Sequence, residues 1–454
     1  MSRTLLFSLL WVSTSAAATD WIIAPNGNDS TGKGTVASPF RTLARVLDPS
    51  TGVAKRGDTV LLRGPAGDNV YNECNARVRV PLTIKSYPGE RAHLHCDMKL
   101  ADSVVLQFDA GASGSTASNL ELSGSAYYGV KINTDWYRGG GEKLGGATDI
   151  VLENLRVHDT GRDGIKITPK ADRVTIRHSE ISNTGAAYPP GTPDSDRNAD
   201  GIDNVNGSKM VVEDNYIHDI ATTGLYFKGG ARDVIVQRNR IENTGSAGIR
   251  VGFDTGEEYF DPGENPGYYE AIGGIVRNNY IRNTHYAGIA LHASKDALIE
   301  NNTIVDTAKS GQAAIFFGIT LQDGDEKAKR PATVNPTIKD NLIVQHGSGL
   351  CVAIRWTVTS VGMLSGLGGK PAMDHNGYYR AGGSCSFSDE RPGPSMFASS
   401  GLASWQGNED ADRNSVERPF AVDEKTGMLD GSAAHSADGT AARQFGVVEP
   451  MAGG

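Results

Sequence analysis

The amino-acid sequence predicts an all-β fold, a right-handed parallel β-helix closed by an N-terminal cap. Three observations predict it: a repeat of fixed period, short stretches in which apolar and polar residues alternate, and a length of 454 residues. One ordinary globular core rarely serves a chain of this length, whereas a solenoid grows along a single axis. The 56 glycines and an aromatic share of 7% suit many tight turns and small inward layers.

The repeat is visible in segments that share a polar residue at one position. The segments read VLENLRVHDTG, VTIRHSEISNTG, VVEDNYIHDIATTG, VIVQRNRIENTG, IVRNNYIRNTHYAG, LIENNTIVDTAKSG and TIKDNLIVQHGSG. The shared residues are Asn154, His178, Asn215, Asn239, Asn279, Asn302 and Asn341. Each unit spans about 23 residues, with insertions in alternate turns, and holds two alternating stretches and a third bounded by glycine. We expect the shared side chains to stack at one bend and to bond the backbone of adjacent coils.

Both ends of the chain depart from the repeat. Residues 1–18 combine a basic residue, an apolar run and three alanines, which is typical of a secretory signal peptide, so we expect a secreted or periplasmic protein. We expect a single domain over 19–454, with an N-terminal module at about 21–110 and a closing tail at about 376–454. A helix expected at Phe40–Leu47 would cover the open end of the first coil and hide its edge strands.

Charge and cysteine content limit the classes of protein that the sequence can encode. A net charge of −9 argues against a nucleic-acid-binding protein, and no stretch after the first 18 residues is apolar enough to span a membrane. We expect a monomer in which a local basic patch would meet any polyanionic substrate. Four cysteines in an exported chain suggest two disulfides, most simply Cys74–Cys96 and Cys351–Cys385, with buried free thiols as the alternative.

The third stretch of each repeat begins at a glycine and yields two outward-facing columns. The aligned segments read YGVKIN, DGIKIT, DGIDNV, TGLYFK, AGIRVG and AGIALH. Positions one and three after glycine are apolar and point inward, with Asn204 as the exception, so positions two and four are expected to face solvent. The first outward column holds Lys131, Lys166, Asp203, Tyr226, Arg250 and Ala290. The second column holds Asn133, Thr168, Val205, Lys228, Gly252 and His292.

This face is basic within an acidic protein and has carboxylates at its middle. The ionisable residues that converge on it are Lys166, Asp203, Lys228, Arg250 and His292. Three insertions are expected to follow this strand and to wall the face into a groove, at residues 186–199, 253–271 and 319–333. A solvated surface charge is the ordinary explanation for any one of these residues. Their convergence between long loops indicates a binding or catalytic site instead.

The chemistry that suits this face is cleavage of an acidic polysaccharide by β-elimination. A cation must neutralise the C6 carboxylate of a uronic acid, a base must remove the C5 proton, and a donor or water must meet the leaving O4. We expect Lys228 to be the base and Arg250, one coil away, to hold the carboxylate or to assist the leaving group. Lys166, Tyr226 and His292 are expected to contact the substrate.

Three aspartates supply oxygen ligands for Ca²⁺ at the middle of the same face. Asp203 lies on the strand, and Asp163 and Asp200 directly precede their glycines. The alternative for Asp163 and Asp200 is a turn role, in which the carboxylates bond local backbone. The sequence leaves open whether Ca²⁺ or the lysine and arginine neutralise the substrate carboxylate.

The segment RDGIK, followed one coil later by NADGID, resembles the calcium site of the family-nine pectate lyases, which pair Ca²⁺ with a lysine base further along the helix. This resemblance implies that Asp163, Asp200 and Asp203 are calcium ligands. Ala199 stands where that family has another aspartate. The N-terminal segments WIIAPNGNDSTGKGTVASPFRTLARVL and RGDTVLLRG resemble the opening coils of secreted β-helix carbohydrate enzymes.

A second resemblance is to the alginate lyases and chondroitinase B of family six. In that family a lysine and an arginine one coil apart act as base and acid, which implies these roles for Lys228 in GLYFKGG and Arg250 in AGIRVG. The calcium-binding glutamates that precede the lysine in that family are absent here, where Ala221, Thr222 and Thr223 stand. Together the two resemblances imply a lyase that acts on pectate, alginate or a glucuronan.

Two other functions remain as alternatives. NADGIDNVNGSKMVVEDNYI also resembles the NTDGID segment of polygalacturonases, but that family of hydrolases needs an aspartate pair in the next coil, where Thr222 and Thr223 stand. The Gly-His-Gly of that family and the Asp-Pro-His-Asp of C5-epimerases are absent from the sequence. A non-catalytic carbohydrate-binding β-helix is the second alternative, and it predicts no groove.

Overall fold

The computed structural model describes residues 18–50, 53–64, 70–136, 145–193, 196–321, 329, 331–393, 397–429 and 445–448. In these residues the chain winds through three long sheets of twelve strands each, and successive strands along the chain enter the sheets in turn. The all-β parallel β-helix that the sequence predicts is confirmed. The expected signal peptide lies outside the described residues, apart from its last position.

The three long sheets run side by side along the helix axis. Sheet 1 consists of β1 (Asp20–Ile23), β2 (Thr59–Leu62), β5 (Thr83–Ser86), β8 (Thr116–Ser118), β11 (Val151–Glu153), β14 (Thr175–Arg177), β17 (Val211–Glu213), β21 (Ile235–Gln237), β25 (Ile275–Arg277), β29 (Leu298–Glu300), β32 (Thr337–Lys339) and β37 (Ala372–Asp374). Sheet 2 consists of β3 (Val70–Asn72), β6 (Ala92–Cys96), β9 (Leu120–Gly124), β12 (Arg156–His158), β15 (Glu180–Ser182), β18 (Tyr216–Ile220), β22 (Arg240–Thr244), β26 (Tyr280–Thr284), β30 (Thr303–Val305), β33 (Leu342–Gln345), β38 (Gly377–Arg380) and β41 (Val416–Glu417). Sheet 3 consists of β4 (Ala76–Val78), β7 (Val104–Phe108), β10 (Tyr128–Ile132), β13 (Ile165–Ile167), β16 (Ile202–Val205), β19 (Leu225–Lys228), β23 (Ile249–Val251), β27 (Ile289–His292), β31 (Ala313–Gly318), β34 (Leu350–Ile354), β39 (Phe387–Asp389) and β40 (Phe397–Ser400).

Shorter elements lie at the ends and edges of the solenoid. They are α1 (Leu43–Leu47), α2 (Leu402–Glu409), a small sheet of β20 (Ala231–Arg232), β24 (Ala271–Ile272) and β28 (Ser294–Lys295), and a hairpin of β35 (Trp356–Thr359) and β36 (Gly362–Ser365). Helix α1 confirms the helix expected near the N-terminus, within shorter bounds. Thr42 caps it, because its hydroxyl accepts the N–H of Arg45 at 3.1 Å.

Sheet 3 confirms the register that the glycine alignment predicts. Lys131 pairs with Lys166, Lys166 with Asp203, Asp203 with Tyr226, and Tyr226 with Arg250. The residues one and three places after each glycine point inward and are buried in the core. The outward columns therefore stack as the sequence indicates.

Asn204 is the polar member of this inward set, and its partner is a turn. Its Nδ2 donates to the carbonyl oxygen of Gly207 at 2.8 Å, and its Oδ1 accepts the N–H of the same residue at 2.9 Å. Both hydrogen bonds are buried, so the amide closes the turn that follows β16.

A ladder of buried amides runs along the bend between sheets 1 and 2. Its members are Asn215, Asn239, Asn279, Asn302, Asn341 and Asn376. The main-chain N–H of each member donates to the side-chain oxygen of the next at 3.0–3.1 Å, from one end of the ladder to the other. The expected stacking of asparagines at one bend is confirmed for this part of the chain.

Asn154 and His178 do not belong to the ladder, and the prediction was wrong for these two residues. Strand pairing places them one position earlier than the ladder members, on exposed turns where φ is 51° at both. Asparagine tolerates this left-handed conformation better than most residues. Ser179 takes the ladder position instead: its hydroxyl accepts the N–H of Leu155 at 3.0 Å, and its N–H donates to Asn215 Oδ1 at 3.0 Å.

Both expected disulfides are present, and no free cysteine is found in the described residues. Cys74 bonds Cys96, and Cys351 bonds Cys385. Bonds of this kind form and persist in oxidising compartments such as the extracellular space. Within the described part of the chain, every helix is too short or too polar to pass through a lipid bilayer.

We predict that replacing a ladder member weakens the fold and spares the activity. Asn239 Nδ2 donates to the carbonyl of Val212 at 2.9 Å, and its Oδ1 accepts two hydrogen bonds from Asn215. Asn239→Ala leaves these buried partners unpaired at about 1–3 kcal/mol each, so the melting temperature should fall. Activity at low temperature should stay near wild type. Asn72→Ala, at an exposed position of sheet 2, is the control; an equal loss of stability in both variants would contradict the ladder.

Candidate functional site

Segments between the coils build a groove over sheet 3. The segment 252–270 follows β23 and the segment that begins at 319 follows β31, as expected. The segment 183–201 instead connects β15 of sheet 2 to β16, so the expectation that every insertion follows a strand of sheet 3 is wrong for it. A further wall comes after β10, where Trp136 Nε1 donates to the carbonyl of Glu258 at 3.1 Å.

Hydrogen bonds between loops and coils fix the segment 252–270 in place. Thr320 Oγ1 and the N–H of Leu321 donate to Asp254 Oδ1 at 2.8 and 2.7 Å. Asn206 Nδ2, at the end of β16, donates to the carbonyl of Tyr259 at 2.6 Å. These contacts tie the loop to two neighbours, so the wall is a defined surface.

The groove consists of two adjoining cavities, lobe 1 of about 460 Å³ and lobe 2 of about 570 Å³. Asn198, Tyr226 and Lys228 line both lobes, so the lobes meet there. The other charged residues of lobe 1 are Lys131, Lys166, Asp203 and Glu258. Those of lobe 2 are Arg197, Asp200, Arg250 and Asp254. Each lobe thus has more basic than acidic side chains, in a protein of net charge −9.

The outward column of sheet 3 is covered by these walls, and the expectation that it faces solvent is wrong for its central members. Asp203 is fully buried, and Tyr226 and Arg250 are 4% and 5% exposed. The ring of Phe253 covers Arg250, with the guanidinium carbon 4.1 Å from the ring centroid. Strand alternation sets the direction in which a side chain points, and the loops above it decide whether water reaches it.

The three expected aspartates come together in one buried cluster. One carboxylate oxygen from each of Asp163, Asp200 and Asp203 lies within 4.8 Å of the others. Asp163 Oδ1 accepts the N–H of Asp200 at 2.9 Å. Asp200 Oδ1 accepts the hydroxyl of Thr222 at 2.7 Å and the N–H of Thr223 at 2.8 Å. These N–H groups belong to the next coil, so Asp163 and Asp200 bond the backbone of a neighbouring coil and not the local backbone that the turn role requires. Burial and the charge of Asp203 raise the pKa of both.

Lys166 and two tyrosines surround this cluster. The Lys166 ammonium forms an ion pair with Asp203 Oδ2. Burial opposes the charged form of this lysine, but the carboxylates of Asp203 and Asp163 outweigh it and raise the Lys166 pKa. Burial raises the pKa of Tyr128 to about 12, and burial with the charge of Asp203 holds the pKa of Tyr226 well above its usual range. Both phenols therefore stay protonated and can donate hydrogen bonds.

The donor set of this cluster fits a hard cation. Among the described residues, Asp163 Oδ2 and Asp203 Oδ1 are buried carboxylate oxygens that have no hydrogen-bond partner. A buried carboxylate oxygen is costly unless a proton or a cation neutralises it. Ca²⁺ binds carboxylate oxygens, and three carboxylates face one point here. Lys166 supplies one positive charge at the same point, so the cluster keeps a net negative charge when all three aspartates are ionised.

Lys228 lies at the junction of the two lobes. Its Nζ donates to the carbonyl of Asp254 at 2.9 Å and stands 4.6 Å from the ring centroid of Tyr226. The same Nζ is 5.5 Å from the ring centroid of Phe253, which also carries the guanidinium of Arg250. Both expected catalytic residues therefore lie near the same aromatic ring.

Arg250 is a buried cation, and one of its buried N–H groups has no hydrogen-bond partner in the described part of the chain. Its Nη2 donates to Ser246 Oγ at 2.8 Å, while its Nε has no hydrogen-bond partner among the described residues. Burial lowers the pKa of Arg250, and the carboxylates of Asp200 and Asp254 act in the opposite direction. An arginine keeps its charge in proteins, so Arg250 brings a permanent positive charge to the lining of lobe 2.

His292 lies apart from the lining of both lobes, so the structure does not support the prediction that it contacts the substrate. Its ring packs against Phe253 and Phe316, with centroids 5.6 and 6.0 Å away, and it is 4% exposed. Burial, with the charge of Arg250, lowers its pKa well below the usual range, so the imidazole is neutral. Its ring therefore packs against the ring of Phe253 and supports it.

Sequence reasoning missed residues that the loops bring to the groove. Asp254 and Glu258 line it from the segment 252–270, and Tyr128 lines it from β10. Glu270, at the end of the same segment, is fully buried beside it. The length of the insertion marked this loop as a wall, but the loop has no periodicity that would show which of its side chains turn inward.

Comparison with known proteins shows the family to which the chain belongs. A family model described as "right handed beta helix region" matches residues 108–256 and 268–361, which is more than half of the chain. The chain belongs to this family. No curated protein matches it in sequence.

Several solved structures share the fold at low sequence identity. A rhamnogalacturonan lyase is 16% identical over 73% of this chain and 83% of its own, with a TM-score of 0.52. The A-module of the mannuronan C-5 epimerase AlgE6 from Azotobacter vinelandii is 13% identical over 80% of this chain and 92% of its own, with a TM-score of 0.52. The pectate lyase Pel9A is 13% identical over 74% of this chain and 77% of its own, with a TM-score of 0.47. At these identities the likeness shows the β-helix fold alone.

We predict that Glu270 makes stability depend on pH. Its Oε2 accepts the N–H of Gly229 at 2.9 Å and the hydroxyl of Thr255 at 2.6 Å, and burial raises its pKa from 4.5 to about 8. Between these two values the folded protein holds a proton that the unfolded chain has released, so stability falls as the pH rises through that range. Glu270→Gln stays neutral and keeps both acceptor contacts.

The measurement is the melting temperature of wild type and Glu270→Gln between about pH 5 and pH 9. The variant should show a flatter profile and should be the more stable protein at the alkaline end. Glu153→Gln on sheet 1, whose side chain is partly exposed, is the control and should follow wild type. A variant profile that parallels wild type over the whole range would show that Glu270 is ionised throughout.

Proposed function

We propose that this protein is an exported polysaccharide lyase that cleaves a glycan containing uronic acid by β-elimination. The observation that carries the proposal is the pairing of Lys228 and Arg250 over the ring of Phe253, inside a groove floored by parallel strands. The strands that bear these two residues are neighbours, and neighbouring strands lie about 4.8 Å apart. A base and a carboxylate-binding cation can therefore reach the same sugar ring.

Lys228 is suited to the role of base by its place in the groove. It lines both lobes, so a glycan that occupies lobe 1 and lobe 2 together must pass its amine. The carbonyl of Asp254 holds one hydrogen of Nζ and thereby orients the amine. In its neutral form this amine accepts the C5 proton of the uronic acid.

Arg250 is suited to binding the C6 carboxylate. A planar guanidinium matches the geometry of a carboxylate, and Arg250 lines lobe 2, where the carboxylate would lie. Neutralising the carboxylate makes the C5 proton more acidic, which is the condition for its removal. Burial strengthens this interaction, because the local dielectric is low.

Tyr226 and lobe 1 complete the site. Tyr226 lines both lobes and stays protonated, so its phenol offers the sugar at the junction a neutral polar surface. Lys131 and Lys166 line lobe 1, where an adjacent uronate unit would bring its own negative charge. Asp163, Asp200 and Asp203 would hold Ca²⁺, which when bound would supply positive charge to neutralise a uronate carboxylate.

The spacing of the aspartates favours a lyase over a hydrolase of the polygalacturonase type. An inverting hydrolase keeps its two carboxyl groups about 6.5–9.5 Å apart to leave room for a water molecule. One carboxylate oxygen from each of Asp163, Asp200 and Asp203 lies within 4.8 Å of the others, and Lys166 is paired with Asp203. The alternative of a purely carbohydrate-binding β-helix predicts no groove, so the two lobes count against it.

The same proposal covers location and partners. Two disulfides and the signal-like residues 1–18 support secretion or a periplasmic location. The partner is an acidic polysaccharide, namely pectate, alginate or a glucuronan. The protein acts on it as a monomer, and neither a nucleic acid nor a membrane is a partner. A panel of these polymers, followed by the ultraviolet absorbance of the unsaturated product, identifies the substrate. Hydrolysis and C5 epimerisation leave that absorbance unchanged.

We predict that Lys228→Ala removes turnover and leaves the fold intact. Loss of a general base costs a factor of about 100 to 10,000, which the product absorbance assay measures. The hydrogen bond to Asp254 is lost as well, so stability should fall by about 1 kcal/mol. Lys85→Ala, on an outward position of sheet 1, is the control and should retain full activity. More than a tenth of wild-type turnover in the Lys228 variant would exclude it as the base.

We predict that Asp203→Asn weakens calcium binding and with it activity. The substitution removes one anionic ligand of a hard-cation site, so chelated variant protein should need more Ca²⁺ to regain activity than wild type. Calorimetric titration with CaCl₂ provides a measurement that is independent of turnover. Asp233→Asn, at an exposed turn, is the control. If wild type binds no Ca²⁺ and chelation leaves its activity unchanged, the aspartates are not a calcium site but a salt-bridge cluster with Lys166.

A further inference from the structure

A second cluster of ligand-type side chains lies on sheet 2, on a different face from the groove. His93 on β6, Glu121 on β9 and His158 on β12 each offer one ligand atom within 4.8 Å of the other two. All three side chains are partly buried, and they come from three successive coils. None of them lines either lobe of the groove.

Neighbouring side chains orient the two imidazoles. Asp159 Oδ2 lies 2.7 Å from His158 Nδ1, which leaves Nε2 directed at Glu121 Oε1, 2.9 Å away. The hydroxyl of Ser123 lies 2.7 Å from His93 Nε2. A carboxylate on the far nitrogen of a histidine is the usual support for a metal-binding imidazole, because it fixes the ring and makes the ligand more basic.

The chain repeats this arrangement two coils later with one change. There Asp219 Oδ2 lies 2.7 Å from His218 Nδ1, and His218 Nε2 faces Glu180 Oε1 at 3.2 Å. The position equivalent to His93 is taken by Arg156, whose Nε lies 3.6 Å from Glu180 Oε2. In the later set an arginine supplies a permanent positive charge to the carboxylate. In the earlier set His93 takes that position, and histidine is a metal ligand in its neutral form. Arg156 follows Glu121 in the next coil, with its Nη1 3.9 Å from Glu121 Oε1.

We propose that His93, Glu121 and His158 form a binding site for a borderline transition-metal cation of the Zn²⁺ class. Two imidazoles and one carboxylate are a donor set that zinc takes in proteins, whereas Ca²⁺ prefers oxygen ligands alone. A cation bound there joins β6, β9 and β12. It therefore stabilises the coils next to the N-terminal cap, because it binds the folded chain and not the separated ligands of the unfolded one.

The test is calorimetric titration of ZnCl₂ into full-length, tag-free protein that has been stripped with a chelator. Excess Ca²⁺ is present to occupy the aspartate cluster of the groove. Wild type should bind one Zn²⁺ per chain and should melt at a higher temperature with the metal than without it. Cobalt added in place of zinc should give visible absorption bands, which report the ligand geometry without any variant.

His93→Arg is the decisive variant, because it puts before Glu121 the type of residue that stands before Glu180, where Arg156 is accommodated. It should fold normally and bind Zn²⁺ at least about tenfold more weakly than wild type. His218→Gln is the matched control and should bind as wild type does. The proposal is overturned if wild type shows no saturable binding of Zn²⁺ or Co²⁺, if His93→Arg binds with unchanged affinity, or if His218→Gln loses as much affinity as His93→Arg.

Discussion

Parallel, in-register pairing between successive coils is the constraint on which the rest of the structure depends. Because β13, β16, β19 and β23 pair residue for residue, side chains at the same distance from their glycines stack about 4.8 Å apart. Residues from distant parts of the sequence thereby meet on one face. A shift of one residue would turn the apolar inward column to the outside, so the buried core itself protects the register. The amide ladder holds the same register along the bend.

Burial changes what the stacked charges can do. On an open sheet face, Lys166, Asp203 and Arg250 would be screened by water and salt and would interact weakly. The walls of the groove exclude water, and the consequences are visible in neighbouring groups. Burial raises the pKa of Asp200 and of Tyr226, and with the charge of Arg250 it lowers the pKa of His292. The groove therefore combines a buried guanidinium with phenols that stay protonated.

Stacking of successive coils brings possible metal ligands together on two faces of the solenoid, and the donor atoms differ between the two faces. On sheet 3 and its turns, three carboxylates from two successive coils form an all-oxygen cluster that suits a hard cation. On sheet 2, three coils bring two imidazoles and one carboxylate together, which suits a softer one. Because a column position repeats in every coil, a site on one coil can be compared with the equivalent residues on another coil of the same chain. The set around Glu180, where Arg156 stands opposite His218, shows how a single exchange replaces a metal ligand with a fixed charge.

The sequence by itself determined the β-helix and the order of the residues along the outward columns. These properties follow from local periodicity, since alternation sets the direction of each side chain and the glycines mark where each strand begins. Only the tertiary structure decided that Ser179 rather than His178 joins the amide ladder, because two neighbouring polar positions look alike until strand pairing aligns them. The tertiary structure also decided that Arg250 is buried and that Glu270 lies beside the groove. Those outcomes depend on how irregular loops pack over distant coils, and no repeat in the sequence encodes that packing.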